Sequence, residues 1–266
     1  DLEEIQHPIV REAFRMFDVD SPIELTTFSD IPAGTGLGSS SSFAVGLVNA
    51  LHALRRERVT KYTLASEAAH IEIDLLGRVM GKQDHFAATY GNFNIYTFNQ
   101  DETVNVEPVY FEPSILRMLE ERLLLFYTGQ QRSASEILQA QDSATGDIPD
   151  LLAAMQEFVQ PMAEVLSGKG DLASIGPMLH ESWMLKRAVA EGITSKTIDD
   201  YYDRAITAGA SGGKILGAGG GGFLLFFVEP QHQQTVTEAL APLQVIRPGF
   251  DTAGSRITYY EPSRFC

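Results

Sequence analysis

Ile31-Pro32-Ala33-Gly34-Thr35-Gly36-Leu37-Gly38-Ser39-Ser40-Ser41-Ser42 is the stretch on which the reading of this chain turns. Just before it, Ile23-Glu24-Leu25-Thr26-Thr27-Phe28 predicts a strand, with Ile23 and Leu25 on one face. Just after it, the largely apolar run from Phe43 to Leu54 predicts a helix buried on several sides, ended in solvent by Arg55 to Arg58. A strand, a Gly/Ser loop and a helix N-terminus in that order make an anion site. The unbonded N–H groups of the first helical turn point outward, and the helix dipole adds partial positive charge. Glycines let the backbone approach phosphate oxygens without a Cβ in the way. The hydroxyls of Ser39 and Ser40 can ligate a metal or a phosphate oxygen. The competing reading is a flexible turn capped by serine. No segment matches G-x-x-x-x-G-K-[ST], so the loop is not a P-loop.

Around this loop the 266-residue chain is 44% hydrophobic and 21% charged, a globular composition with enough length for a sizeable core. Its 20 Lys and Arg against 35 Asp and Glu leave a formal charge of −15. Such a chain repels phosphate backbones at long range, which argues against a nucleic-acid partner. Any anionic ligand must be gripped locally. No stretch reaches the apolar length of a membrane-spanning helix. One cysteine, Cys266, excludes a disulfide framework and a Cys-rich metal site, and makes a reducing, cytoplasmic setting the default. The opening Asp1-Leu2-Glu3-Glu4 carries no methionine and no signal pattern, so the expectation is that residues precede it.

The remaining elements follow from periodicity and punctuation. A short helix is expected from Ile9 to Phe17, and a second from Thr60 to Leu76, stopped by Gly77. The apolar stripe of the second is Leu64, Ala68, Ile71 and Leu75; its polar stripe is Glu67, His70 and Asp74. Strands are expected from Gly91 to Phe98, and at Leu123 to Tyr127, where the unbroken apolar run predicts a central position. Ser133-Ala134-Ser135-Glu136 reads as a capping box, and helical patterns continue to about Gly209. A second glycine loop spans Gly212 to Gly222 and feeds an apolar strand from Phe223 to Val228. A helix near Gln231 to Leu240 and strands near Val245 and Ile257 complete the chain. Strands and helices do not alternate strictly, so the fold class is α+β. Gly217-x-Gly219-x-x-Gly222 matches the dinucleotide pattern formally but precedes a strand instead of opening a helix, which rejects a dehydrogenase.

Two acids stand out. Glu72 lies off the polar stripe of its helix, among Ala65, Ala68, Ala69 and Leu76, so it stands at a domain edge or points into a site. Asp84, in Gly81-Lys82-Gln83-Asp84-His85-Phe86, reads either as a helix N-cap or as a functional carboxylate. Magnesium on a nucleotide takes one or two carboxylates beside phosphate oxygens, and a second carboxylate can accept the proton of an attacking hydroxyl. The six histidines (His7, His52, His70, His85, His180 and His232) show no metal-ligand spacing. Lys214 lies beside the second glycine loop, Arg132 precedes the capping box, and Trp183 and Lys186 share a helix. Core packing is the default for Trp183.

These residues resemble a known pattern. Pro32 to Ser41 resembles the second motif of the GHMP kinases, and Lys214 to Gly222 resembles their third. Gly81-Lys82-Gln83-Asp84 resembles the catalytic-aspartate loop of the sugar kinases in that superfamily. The resemblance covers nearly the whole chain and implies a two-domain α+β fold, divided at 1–113 and 114–266, with the active site in the cleft between domains. It implies ATP and Mg2+, and a small-molecule sugar phosphate taking phosphate on its anomeric hydroxyl. Gly34, Thr35, Gly36, Leu37, Gly38, Ser39 and Ser40 would wrap the ATP phosphates, with Ser39 or Ser40 near the metal and Glu72 ligating it. Asp84 would act as base or orient the sugar hydroxyl. Lys82, Gln83, Arg132, Lys186, Gly217, Gly219, Gly220 and Gly221 would contact the acceptor or shape the cleft. The family's first motif has no counterpart in this sequence. Rival readings are a fucose- or galactose-type kinase, a non-catalytic nucleotide- or sugar-binding protein on the same fold, and the superfamily's decarboxylase branch. Oligomeric state is not legible.

Overall fold

The computed structural model describes residues 2–32, 34–130, 137–138 and 148–261. The chain groups into two compact units. One comprises Asp1–Ala33, Gly38–Asn92 and Asp251–Cys266; the other comprises Gly34–Leu37 and Phe93–Phe250.

The first unit is helical. Its elements are α1 (Pro8–Met16), α2 (Ser39–Leu54), α3 (Lys61–His70), a π-helical turn (Ile71–Leu75) and α4 (Gln83–Tyr90). Thr60 caps α3, its hydroxyl accepting from the Thr63 N–H. Ile9, Ala13 and Phe17 pack on Ala44, Val48 and Leu51 of α2 and on Leu64, Ala68 and Ile71. Each large aliphatic side chain buried this way contributes roughly 1.5–3 kcal/mol against the entropy of ordering.

The second unit holds a hairpin of β1 (Asn94–Phe98) and β2 (Val104–Pro108), then α5 (Pro113–Glu120) and β3 (Leu123–Tyr127). Next come α6 (Ile148–Gln156), α7 (Val159–Leu166), α8 (Ile175–Lys186), α9 (Lys196–Thr207) and β4 (Gly212–Ile215). It ends with β5 (Phe223–Phe227), α10 (Gln233–Ala239) and β6 (Gln244–Ile246). Four strands form an antiparallel sheet in the order β4-β5-β3-β6, with Leu125 opposite both Leu225 and Ile246. The apolar run of β3 is therefore interior, as expected. Alternation sends Leu124 and Phe126 to one face, packed with Trp183, Tyr202, Leu224 and Phe226. Leu123 and Phe227 go to the other face, with Leu166 and Ile175. Trp183 is a fully buried core residue.

Several expectations need correction. Residues 23–28 form no strand; they lie outside regular secondary structure and are exposed, Phe28 almost wholly so. No described strand pairs with them, and an unpaired strand gains no ladder of hydrogen bonds. The stretch around Ile257 is also outside any strand. The helix expected from Phe43 begins at Ser39, because Gly38 serves as its N-cap with φ +67°. The helix expected to Leu76 widens at Ile71, where the Leu76 N–H reaches back to the Ile71 carbonyl. That wide turn rotates the face, so Leu75 is exposed rather than part of the apolar stripe. The second glycine loop is shorter than expected, since its first four residues are β4. The capping box at residues 133–136 lies outside the described residues. Among the described residues, no helix is long and apolar enough to cross a membrane.

Candidate functional site

In the first unit the site is built at the N-terminus of α2. The first intrahelical bond runs from the Ser42 N–H to the Gly38 carbonyl, so the N–H groups of Ser39, Ser40 and Ser41 precede it. The π turn carries Glu72 inward, where it is completely buried. The Ser40 hydroxyl donates to Glu72 Oε1. His85 Nε2 lies 2.9 Å from Glu72 Oε2. The Arg78 guanidinium donates through one nitrogen, Nη1, to Ser40 Oγ at 2.7 Å and to Glu72 Oε1. Burial pushes the Glu72 carboxyl up. The hydrogen bonds from His85 and Ser40, with the charges of His85 and Arg78, outweigh it and hold the group below the usual carboxylate range. Glu72 is thus ionised at neutral pH, and both its oxygens are engaged.

His85 is fully buried, and its Nδ1 has no hydrogen-bond partner. A carboxylate only accepts, so Nε2 must carry the proton in this pair. Asp84 lies exposed in the first turn of α4, where the helix dipole favours its negative charge. It is not the N-cap; that position is Lys82, which makes no side-chain cap. A Cβ placed on Gly38 would stand 3.3 Å from Asp84 Cγ, so the carboxyl group rests against the loop backbone at the start of α2. Gln83 is the exposed first residue of α4.

In the second unit the two glycine loops meet backbone to backbone. A Cβ on Gly36 would lie 2.7 Å from the Leu216 carbonyl oxygen, and one on Gly217 would lie 2.6 Å from Gly36 Cα. Gly222 packs in the same way on the Thr35 carbonyl, and Thr35 is fully buried. The Thr128 N–H and hydroxyl both donate to the Gly222 carbonyl at 2.9 Å. Gly220 donates to the Ile193 carbonyl at 2.8 Å, Gly219 packs on Ile193, and Gly221 packs on the Gln130 carbonyl. Lys186, at the end of α8, donates to the Gly217 carbonyl. Lys214 sits in β4, where burial lowers its pKa.

The structure therefore brings Ser40 onto Glu72, Asp84 onto Gly38, and Gly36 and Thr35 onto the second glycine loop. Ser39 lies one residue before Ser40 in the same first turn. Gly34 and Leu37 complete the loop in the second unit. Arg132 lies outside the described residues. Sequence reasoning missed Arg78 and His85, the two partners that complete the Glu72 cluster. In a sequence, metal-ligand spacing is what marks a histidine out, and a histidine serving as a buried donor has no such spacing.

An ionised carboxylate beside serine hydroxyls is a hard-oxygen set whose chemistry fits a magnesium ion. Among the described residues, no group of three or more His, Cys, Asp or Glu side chains could hold a metal ion.

The chain matches the N-terminal domain of the GHMP kinases over residues 7–92 and their C-terminal domain over residues 150–243. It belongs to the GHMP kinases. It is 35% identical over 218 residues to the D-glycero-alpha-D-manno-heptose 7-phosphate kinase of Campylobacter jejuni, covering 81% of this chain and 64% of that protein. It is 29% identical to the mevalonate kinase of Pyrococcus horikoshii, covering 82% of this chain and 63% of that one. The chain thus spans a little under two thirds of these relatives. Among solved structures, it superimposes with a TM-score of 0.69 on a D-glycero-D-manno-heptose 1-phosphate kinase from Bacteriodes thetaiotaomicron. That pair is 26% identical and covers 96% of this chain and 74% of the other. The mixed α+β kinase fold with N- and C-terminal domains agrees with the fold class expected from the motifs.

Proposed function

We propose that this chain carries the phosphoryl-transfer site of an ATP-dependent kinase whose acceptor is D-glycero-D-manno-heptose 7-phosphate, phosphorylated on the anomeric hydroxyl to the 1,7-bisphosphate. The observation that carries this reading is the convergence on one helix N-terminus of the Asp84 carboxyl, against Gly38, and the Ser40–Glu72 pair. The heptose assignment draws on the Campylobacter relative at 35% identity. The Bacteriodes protein is named for the 1-phosphate, so a heptose phosphate is the ligand class common to both.

Phosphoryl transfer leaves little covalent work for protein groups, so positioning and charge neutralisation dominate. The N–H groups of Ser39, Ser40 and Ser41 would receive phosphate oxygens, with Gly34, Thr35, Gly36 and Leu37 leading the backbone to them. Magnesium bound with the nucleotide supplies further charge neutralisation, and Glu72 with Ser40 or Ser39 would hold it. Asp84 would accept the proton of the sugar hydroxyl or orient that hydroxyl. Lys82, Gln83, Arg132, Lys186 and Gly217 to Gly221 are proposed to contact the acceptor.

Mass spectrometry of a sugar and sugar-phosphate panel incubated with magnesium and ATP tests the proposal. One phosphate added to heptose 7-phosphate is expected. Transfer to fucose, galactose or mevalonate instead would keep the kinase and discard the heptose. Nucleotide binding without transfer to any acceptor would contradict the kinase reading.

A further inference from the structure

Arg78 follows the π turn, tied to it by a bond from its own N–H to the Glu72 carbonyl at 3.1 Å. Its side chain then turns back over the Glu72 carboxylate. A single nitrogen, Nη1, donates both to Ser40 Oγ and to Glu72 Oε1. These are the two hard oxygens that recommend the pair as a cation site. A magnesium ion held by the pair would need the space in front of both oxygens. A guanidinium nitrogen bridging the same two atoms fills that space, and its charge has the same sign.

We propose that Arg78 is a resident counter-cation that competes with the divalent metal for Ser40 and Glu72, so that the pair takes a metal only when the guanidinium leaves. This rests on the reading of Glu72 and Ser40 as metal-holding residues. Burial decides which partner moves. The Glu72 side chain is 0% exposed and is pinned at its other oxygen by His85, itself fully buried. The Arg78 side chain is 33% exposed and has solvent to swing into. The exchange replaces one cation by another, so a buried carboxylate is never left without a counter-charge, the arrangement that costs most. It also lowers apparent metal affinity by the fraction of molecules in which Arg78 holds the pair.

The test is Mn2+ binding to the protein with a non-hydrolysable ATP analogue, read by electron paramagnetic resonance of free Mn2+. Arg78→Met keeps an apolar stem and removes the donor. It should tighten Mn2+ binding about tenfold, while Arg78→Lys, which keeps a cation, stays within about twofold of the parent. Without metal, Arg78→Met should melt below the parent, and saturating Mn2+ and nucleotide should close the gap. Unchanged or weaker Mn2+ binding in Arg78→Met, with binding lost in Glu72→Gln, overturns the competition and leaves the metal site standing. Unchanged binding in Glu72→Gln removes the metal role of Glu72, and the competition with it. Should Arg78→Met not fold, the parent protein decides. Guanidinium protons of Arg78 exchange slowly while held on Glu72 and should exchange faster once the metal–nucleotide complex is added; unaltered exchange overturns the proposal.

Discussion

At the scale of single residues, the Glu72 cluster shows how a buried carboxylate is kept charged. His85 contributes one donor, Nε2–H, to an oxygen that no water reaches. Gln carries a donor at comparable reach, so His85→Gln should unfold within about 1 kcal/mol of the parent. His85→Leu leaves that oxygen unpaired and should cost about 2–4 kcal/mol, measured by urea unfolding. The carboxyl also has an acid signature. Its pKa is lowered on folding, so it contributes stability above the usual carboxylate range and loses it as pH falls through the folded value. Glu72 was legible in the sequence as an acid off its helix's polar stripe. Its partners were not: the π turn that carries Glu72 inward, with Arg78 after it, leaves no mark in a 3.6-residue periodicity, and His85 comes from a separate helix, α4.

At the scale of elements, the two glycine loops are one device. Gly36 holds φ +80° and touches Leu216 and Gly217 through backbone alone. Gly36→Ala should therefore be strained twice, by its dihedral and by the Leu216 carbonyl. A loss of about 2–3 kcal/mol in thermal or urea unfolding, with weakened nucleotide binding, is the expected outcome. Gly34, whose Cβ would meet nothing within 4 Å, is the control; only its dihedral, φ +76°, resists alanine. The loops were visible as glycine runs, and the central β3 as an unbroken apolar run. That the loops lean on each other was not visible, since close approach depends on which carbonyl faces which Cα. The strand expected at residues 23–28 failed for a related reason: alternation specifies a face, and a strand also needs a neighbour.

At the scale of the molecule, the second unit's core carries an alkaline limit. Tyr202 is 1% exposed, its hydroxyl 2.8 Å from His180 Nδ1, and burial pushes its pKa up to about 12. The folded value lies above the unfolded value of about 10, so this contribution is intact below pH 10 and is lost as pH rises towards 12. Tyr202→Phe should start less stable, and the difference from the parent should shrink by roughly 2 kcal/mol over that window in pH-resolved unfolding.

In the kinase proposed above, Asp84 is the group assigned to the acceptor hydroxyl. Rate and affinity measured together test it most directly: transfer from ATP to heptose 7-phosphate by the parent and by Asp84→Asn, with the ATP dissociation constant determined for both. Turnover should fall at least about a hundredfold in Asp84→Asn, with ATP affinity within about twofold. Asp84→Asn turning over at the parent rate would contradict that assignment.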